Sequence, residues 1–392
     1  MTVWGIAREE FRQMRRGKLP KLAILLFLPL FFTLVFGTAY RNQFVRHIPL
    51  TVFDQDQSKV SRTLVQGYAD SEKFTIVSHA DTQEKMDAEL ESGRALAALA
   101  IPAGFSKDIK RGDGGKTVLI VNSANNTIGN AAITEAWKIN RTLTIGGAQR
   151  IVERLGQMPD EAMNAVYPVH LAVRLLNNPL AGFSSFMLSG LGLQGVQIAL
   201  LIAAAPALSE EYRRRWYDGN VPAARVLAGK MIPYWLSSVA SYFVYLAAAV
   251  FLFGTPAKCG LPELFLLGGI FSFSVIGVLF FFSALCPKPI LAMQLPMLYV
   301  MPGTLFSGLS WPLFSMNLPA SLYAAVMPIR YAADNLRDLL LAGYAPSLAA
   351  DCRALLVCGS IGFLAAWAVF SRRRKRLLQA EGRASHASLY CA

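Results

Sequence analysis

The sequence predicts a polytopic α-helical membrane protein, with six transmembrane helices and an α/β domain inserted between the first two. Of its 392 residues, 54% are hydrophobic and only 16% are charged, whereas a typical soluble chain is about 25% charged. The apolar residues are clustered in long runs that are separated by polar segments. The basic residues lie beside these runs, as topology signals do.

The apolar runs divide the chain into five parts. Residues 1–21 form a basic leading segment, 22–40 the first span, 41–178 a polar domain, 179–371 a membrane bundle and 372–392 a basic tail. The later spans are predicted at about 183–208, 231–254, 262–285, 290–309 and 354–370. These lengths suit a helix that crosses a hydrocarbon core of about 30 Å.

Residues 290–329 carry no charge, and two full spans would fit their length. Proline and glycine interrupt this stretch repeatedly: Pro296, Pro302, Gly303, Gly308, Pro312 and Pro319. We therefore predict one span at 290–309 and a broken, re-entrant segment at 311–329, which is tolerated where protein shields it from lipid.

The distribution of positive charge orients the spans. With six spans both termini lie on one side, and most basic residues of the short segments lie there too: Arg8, Arg12, Arg15, Arg16, Lys18, Lys21, Arg213, Arg214, Arg215, Arg225, Lys230, Lys288 and 372–376. The opposite short segments carry only Lys258, Arg330, Arg337 and Arg353. Since an excess of Lys and Arg marks the cytoplasm, we expect cytoplasmic termini and an extracytoplasmic domain at 41–178. A seventh span would place the basic tail outside.

The leading segment has the pattern of an amphipathic helix at the membrane interface. Its apolar residues fall near one helical face: Val3, Trp4, Ile6, Ala7, Phe11 and Met14. Four arginines occupy much of the remainder: Arg8, Arg12, Arg15 and Arg16. We expect these arginines to face anionic membrane lipid. The alternative is a plain basic flank of the first span.

Residues 41–178 contain 16 Lys or Arg against 15 Asp or Glu, so this segment is nearly neutral. Strands are predicted at 48–53, 74–78, 95–101 and 117–122, and helices at 58–70, 82–92 and 125–155. Strands that alternate with helices indicate a sheet covered by helices. The net charge of +13 lies beside the spans, which argues against nucleic acid as a partner.

No catalytic or metal site is predicted. The five cysteines and four histidines have no metal-ligand spacing. Residues 112–117 are rich in glycine like a phosphate-binding loop, but Lys110 stands where that motif requires its first glycine. We interpret the stretch as a turn before a strand. The chain is therefore not expected to be an enzyme or to hold a cofactor.

The first candidate site is the charged and aromatic loop 209–222 between the second and third spans. Its candidate residues are Glu210, Glu211, Tyr212, Arg213, Arg214, Arg215 and Trp216. Aromatic residues and arginine are enriched in protein interfaces, so the loop is a candidate contact with a cytoplasmic partner. An interfacial aromatic belt with a topology signal would also explain Trp216 and the arginines.

The second candidate site is the segment after residue 327. As a helix it places Arg330 and Asp334 at i,i+4, and Asp334 and Arg337 at i,i+3, with Tyr331 beside them. Paired charges at an apolar boundary compensate one another. We predict an outer gate here; the alternative is a solvated helix with surface ion pairs.

Four stretches together resemble the membrane subunits of type-2 ABC exporters that carry a large extracytoplasmic domain. They are residues 48–58, 97–105, 122–127 and 328–337, and the last resembles the family signature P-x-x-Y-x-x-D-x-L-R. One departure is that Glu210 to Trp216 replace the Gly-Thr of the family's cytoplasmic loop, although Gly229-Lys230 is retained.

The resemblance implies a permease in the bacterial inner membrane that exports an amphipathic or apolar substrate. It also implies a separate ATP-binding subunit, which holds the ATP and magnesium, and a dimer of permeases. Homodimer or heterodimer, the substrate, and a periplasmic adaptor on residues 41–178 stay open. The alternative function is a membrane receptor whose outer domain binds a ligand, although no signalling domain follows the spans.

Overall fold

The computed structural model of the protein describes residues 2–16, 20–40, 45–111, 114–154, 183–214 and 221–390. It contains two compact units. One is Phe44–Arg174, and the other combines Met1–Gln43 with Leu175–Ala392.

The first unit is a four-stranded sheet covered by helices. Its elements are β1 Ile48–Asp54, α3 Lys59–Ala69, β2 Phe74–His79, α4 Gln83–Glu91, β3 Ala97–Ile101, α5 Phe105–Arg111, β4 Val118–Val121 and α6 Asn126–Arg154. The strand order is β2-β1-β3-β4. β1 runs parallel to β2 and β3, whereas β4 is antiparallel to β3. The predicted strands and helices are thereby confirmed to within about two residues.

Each face of the sheet has its own apolar cluster. On one face Leu50 and Leu99 pack with Leu64 and Tyr68 of α3 and with α6. On the other face the shorter helix α4 contributes Met86, which packs with Phe53 and other residues.

Two carboxylates close the loops at the ends of β1 and β3. The Asp54 carboxylate accepts hydrogen bonds from the backbone N–H groups of Asp56 and Gln57, both at 3.0 Å. The Asp56 carboxylate accepts from the N–H groups of Gly104 and Ser106, both at 3.1 Å. In open α/β sheets ligands often bind near the carboxyl ends of the strands. Here the Asp56 carboxylate already accepts the hydrogen bonds that these backbone N–H groups could otherwise donate to an anionic ligand.

The second unit is helical. Its elements are α1 Val3–Arg15, α2 Lys21–Ala39, α7 Phe183–Ala204, α8 Ala207–Arg214, α9 Ala223–Phe253, α10 Leu261–Leu285, α11 Pro289–Val300, α12 Leu318–Ala325, α13 Pro328–Ala342 and α14 Leu348–Tyr390. Within the described ranges, five helical stretches are long and apolar enough to cross a membrane. They coincide with the predicted spans at 22–40, 183–208, 231–254, 262–285 and 354–370.

The predicted span at 290–309 is not one continuous helix. α11 has 12 residues, about 18 Å of rise, and a 3-10 turn over Met301–Thr304 follows it. Pro302 has no N–H, so the Leu298 carbonyl loses its helical donor; Tyr323 Oη donates to it instead, at 3.2 Å. Gln194 Nε2 of α7 donates to the Val300 carbonyl at 3.0 Å. Side chains thus satisfy the carbonyls that the break exposes, as an interrupted helix within apolar surroundings requires.

The helices α10 and α14 pack closely. A Cβ added at Gly277 would overlap the carbonyl oxygen of Gly359, and one added at Gly362 would lie 2.7 Å from the Gly277 carbonyl carbon. Small residues at such crossings allow backbones to approach. This packing places the end of α10 beside α14, and Tyr212 of the candidate site contacts both helices there.

The amphipathic helix α1 packs onto α9 with part of its predicted apolar face. Ile6, Ala7, Glu10 and Met14 are buried. Trp4 and Phe11, which we predicted on the apolar face, are 72% and 40% exposed. Both aromatic residues lie outside the contact with α9, so the interfacial position predicted for this part of the apolar face stays a prediction.

Candidate coupling site

A buried ionic cluster joins α1, α8 and α9. Lys230 Nζ of α9 lies 2.7 Å from Glu10 Oε2 of α1 and 3.5 Å from Glu211 Oε2 of α8. Tyr234 Oη donates to Glu10 Oε1 at 2.8 Å. The Lys230 side chain is fully buried, and Glu10 and Glu211 are 2% and 6% exposed. Three helices therefore share one cation.

Because they share this cluster, none of the three helices can move far without affecting the other two. Taking a charge out of water costs several kcal/mol, and only close opposite charges and hydrogen bonds repay that cost. If α8 moves and carries Glu211 away, the attraction between Glu211 and Lys230 either pulls the Lys230 ammonium along or resists the movement. Gly229 allows the close approach, because a Cβ there would lie 2.6 Å from Ile6 Cβ.

A second ion pair joins α8 to the start of the first span. Lys21 Nζ lies 3.0 Å from Glu210 Oε2, and the side chains are 22% and 23% exposed. Partial exposure makes this pair weaker than the buried one. The two adjacent glutamates thus face two different helices.

Tyr212 connects α8 to the end of α10 and to the middle of α14. Its Oη donates to the Ala284 carbonyl at 3.1 Å, and its ring lies 5.4 Å from that of Phe370. The Arg373 guanidinium stacks over the same ring at 5.1 Å and donates to the Leu285 carbonyl at 2.7 Å. The polar end of the bundle is therefore held by side chains of α8 and α14.

The beginning of α8 is also held by α10. Pro206 precedes the helix, and the first backbone N–H groups of a helix have no partner within it. Ser283 Oγ accepts from Leu208 N and Ser209 N, at 2.9 and 3.3 Å. A side chain of α10 therefore fixes where α8 starts.

The structure changes the interpretation of the predicted loop. Glu211 is buried and Glu210 is in an ion pair, so these two carboxylates act on other parts of the same chain instead of forming an open surface. Arg213 is exposed. Arg214 ends α8, whereas Arg215 and Trp216 lie outside the described residues. The role of the loop in coupling stays a prediction.

Sequence reasoning missed Glu10, Lys230 and Tyr234 as members of this cluster. One signal was available: Glu10 lies on the same helical face as Ile6 and Met14. An acidic residue inside an apolar stripe requires a buried partner. The sequence could not identify that partner, because Lys230 is 220 positions away.

Of the residues predicted to form an outer gate, only some are brought together. Asp334 Oδ1 lies 3.1 Å from Arg337 Nη1, as the i,i+3 spacing predicted. Arg330 forms no ion pair with Asp334 among the described residues and instead stacks on Tyr331 at 5.3 Å. Tyr331 Oη donates to the Ala325 carbonyl at 2.7 Å.

The surroundings of Asp334 are tight. Gly308 has φ +89°, and a Cβ there would lie 2.9 Å from Asp334 Oδ2. The helix α13 is not among the five span helices. Burial raises the pKa of Asp334, an effect that the nearby Arg337 opposes and Asp338 reinforces.

Asn335, which sequence reasoning did not select, is the hydrogen-bonding centre of this region. Its side chain is fully buried and donates to Asp351 Oδ2 at 2.7 Å. Its Oδ1 accepts from Ser347 Oγ at 3.1 Å. These bonds fasten α13 to α14 and its preceding turn.

In the described part of the chain, no three His, Cys, Asp or Glu residues are grouped so that they could hold a metal ion. What the cluster offers is a charged connection between helices.

Comparisons with known proteins agree with the membrane architecture. Residues 21–371 match the family described as ABC-2 family transporter protein. The chain is 21% identical over 343 residues to the probable multidrug ABC transporter permease YbhR of Escherichia coli K12, covering 86% of this chain and 89% of YbhR. It is 22% identical over 306 residues to YbhS of the same organism, which bears the same description, covering 75% of this chain and 77% of YbhS.

Proposed function

This chain belongs to the ABC-2 family of transporter proteins and is a multi-pass permease subunit, and we propose that it exports an amphipathic or apolar substrate with energy from a separate ATP-binding subunit. The two Escherichia coli relatives are described as probable multidrug permeases. The complete phosphate-binding motif is missing from the sequence, which supports placing ATP and magnesium on the partner. A second permease protomer completes the transporter.

The proposed arrangement has six spans, both termini in the cytoplasm and the α/β unit outside the bacterial inner membrane. The support is the excess of arginine and lysine in the short segments on one side. In this arrangement α1, α8 and the end of α14 meet the cytoplasm. An adaptor protein on the outer unit would be an addition to this transporter and is not needed for the coupling described here.

The observation that carries the coupling proposal is the contact of Lys230 with both Glu10 and Glu211. An ATP-binding subunit that pushes on the segment after Arg213 would move α8. Because Glu211 and Glu10 hold the same ammonium, that movement would be transmitted to α1 and to the span α9. Glu211 thus acts as a positioning residue, and the exposed Arg213 makes the contact with the partner.

At the other end, the Asp334–Arg337 pair is proposed to hold the exit closed. The pair lies on α13 directly after the broken segment 311–329, and Asp334 packs against Gly308, which lies just before that segment. Separation of the broken segment from α13 would open a path toward the outside.

The experiment is export by the assembled transporter. The chain is co-expressed with an ATP-binding subunit encoded beside it, purified, and reconstituted into vesicles with a fluorescent amphipathic dye. We expect co-purification and ATP-dependent movement of dye, both abolished when the ATP-binding subunit carries an inactive phosphate loop. Co-purification without any ATP-dependent dye movement would contradict the substrate class. Failure of any ATP-binding subunit to co-purify would contradict the division of labour.

A further inference from the structure

The exposed face of α1 combines arginine with aromatic residues. Arg8, Arg12 and Arg15 are exposed and follow one another at helical spacing, and Arg16 continues them. Trp4 and Phe11 are exposed on the same side. With Phe11, the four arginines line an open concavity of about 440 Å³. We call this set of six residues the arginine face.

The arginine face is held in place by the opposite side of the helix. Glu10 is fixed by Lys230 and Tyr234, while Ile6 and Met14 are buried against the bundle. The Thr2 side chain caps the helix by accepting from Gly5 N at 3.2 Å. The side of the helix from which the arginines project is therefore set by packing and does not depend on the ligand.

Among the described residues, the charge of the arginine face is only partly compensated. Arg12 pairs with Glu9 at 2.7 Å, which leaves three further guanidinium groups on the face. Guanidinium groups bind phosphate oxygens in a forked geometry and are more weakly hydrated than lysine. The face is thus suited to an anion that carries phosphate.

The position of the face favours a lipid phosphate over a soluble one. Only four residues separate Arg16 from Lys21, where the first span helix begins, so the two lie within about 18 Å of one another along the chain. Exposed tryptophan and phenylalanine beside arginine are typical of a helix at the headgroup layer. A soluble phosphate compound would give Trp4 and Phe11 no apolar surface to enter.

From these contacts we propose that the arginine face binds the headgroup of an anionic phospholipid in the cytoplasmic leaflet, with Trp4 and Phe11 inserted beside it. The proposal relies on the predicted orientation of the chain but not on its transport activity. It also gives the Glu10–Lys230 contact a second role, since a lipid bound to α1 lies directly opposite the coupling cluster.

The test is lipid retention by the full chain. The protein is purified in detergent with equal amounts of phosphatidylglycerol and phosphatidylcholine, and the lipids that remain bound are counted by native mass spectrometry. The variant replaces all four arginines: Arg8→Gln, Arg12→Gln, Arg15→Gln and Arg16→Gln. A matched control removes four exposed basic residues of the α/β unit: Lys107→Gln, Lys110→Gln, Arg111→Gln and Lys116→Gln.

We expect the wild type and the control to retain phosphatidylglycerol in preference to phosphatidylcholine. Each arginine removed should weaken that retention about fivefold, since a basic residue near an anionic surface contributes about 1 kcal/mol. The double variant Arg8→Gln/Arg15→Gln tests the graded effect if the fourfold variant does not fold, which size-exclusion chromatography would reveal.

Equal retention by the fourfold variant and the wild type would overturn the proposal, and so would an equal loss in the matched control. If the fourfold variant keeps the lipid but no longer co-purifies with the ATP-binding subunit, the arginine face is a protein interface and the lipid proposal is wrong.

Discussion

The ammonium of Lys230 and the carboxylate of Glu10 lie 2.7 Å apart, and their side chains are 0% and 2% exposed. The pair connects a helix that precedes the first span to the interior of a later span. A connection of this kind is rigid because either charge alone would be costly to bury.

Removal of the Lys230 charge is expected to destabilise the protein strongly. Lys230→Met takes away the ammonium that two buried carboxylates contact, at a cost of about 3–5 kcal/mol. The readout is the apparent melting temperature in detergent. Lys21→Met is the matched control, because the partly exposed Lys21–Glu210 pair should contribute only about 0–1 kcal/mol. Similar losses in both variants would show that burial does not distinguish the two pairs.

Glu211→Gln is expected to impair export more than assembly. The substitution preserves volume but weakens the contact with Lys230, which lies 3.5 Å away. We expect ATP-dependent dye movement to fall about tenfold, within the usual range of coupling energies, while the ATP-binding subunit still co-purifies. The control is Arg213→Gln, where the side chain is exposed and weaker co-purification is the expected defect. Loss of co-purification in Glu211→Gln would mean that this residue contacts the partner directly.

Gln194 and Gln197 are expected to respond in opposite ways to the same substitution. Gln194→Leu removes the donor to the Val300 carbonyl and should cost about 1–3 kcal/mol, since it leaves a buried acceptor unsatisfied. The Oε1 atoms of both glutamines are buried without a hydrogen-bond partner among the described residues. Because Gln197→Leu removes such an atom and breaks no hydrogen bond of the described residues, it should be neutral or stabilising. Apparent melting temperatures of the two variants provide the comparison. Equal destabilisation would show that the hydrogen bond from Gln194 to the Val300 carbonyl does not contribute to stability.

Asp334 is expected to make stability depend on pH. Its pKa is raised by burial above the ordinary value of 3.8, so the folded protein binds this proton more tightly than the unfolded chain does. The stability contributed by the proton is therefore present at low pH and lost as the pH rises from 3.8 through the raised pKa. Asp334→Asn should flatten the dependence of the melting temperature on pH across that window. An unchanged slope in Asp334→Asn would contradict this assignment.

Gly308→Ala is expected to lower stability by about 1–3 kcal/mol. The residue has a positive φ, and the added Cβ would meet the Asp334 carboxylate at 2.9 Å. Gly146→Ala is the control, because that helical glycine has open space around it and alanine favours helix by up to about 1 kcal/mol. A neutral Gly308→Ala would mean that the segment adjusts freely.

Much of the local structure was predictable because it depends on short-range patterns. Apolar periodicity located β1 to β4 and the helices α3, α4 and α6, although it missed α5, and uncharged length located five span helices. The i,i+3 spacing correctly paired Asp334 with Arg337. The end of α11 was missed for a physical reason. A proline shows where a helix is weakened, but it does not show which side chains will donate hydrogen bonds to the carbonyls that lose their helical donors. Tyr323 and Gln194 do so from 25 and 106 positions away.

By itself, the sequence determined the class of protein, the order of its parts and the family, since these follow from composition, periodicity and local motifs. The tertiary structure decided which way the charges face. Glu210 and Glu211 are adjacent in the chain. Glu210 nevertheless pairs with Lys21 where both side chains are partly exposed, whereas Glu211 contacts Lys230 in the interior. Successive residues on a helix point in directions about 100° apart, so neighbours in sequence become partners of different helices. The charged segment is connected to the membrane bundle only because α1, α8 and α9 pack around the ammonium of Lys230.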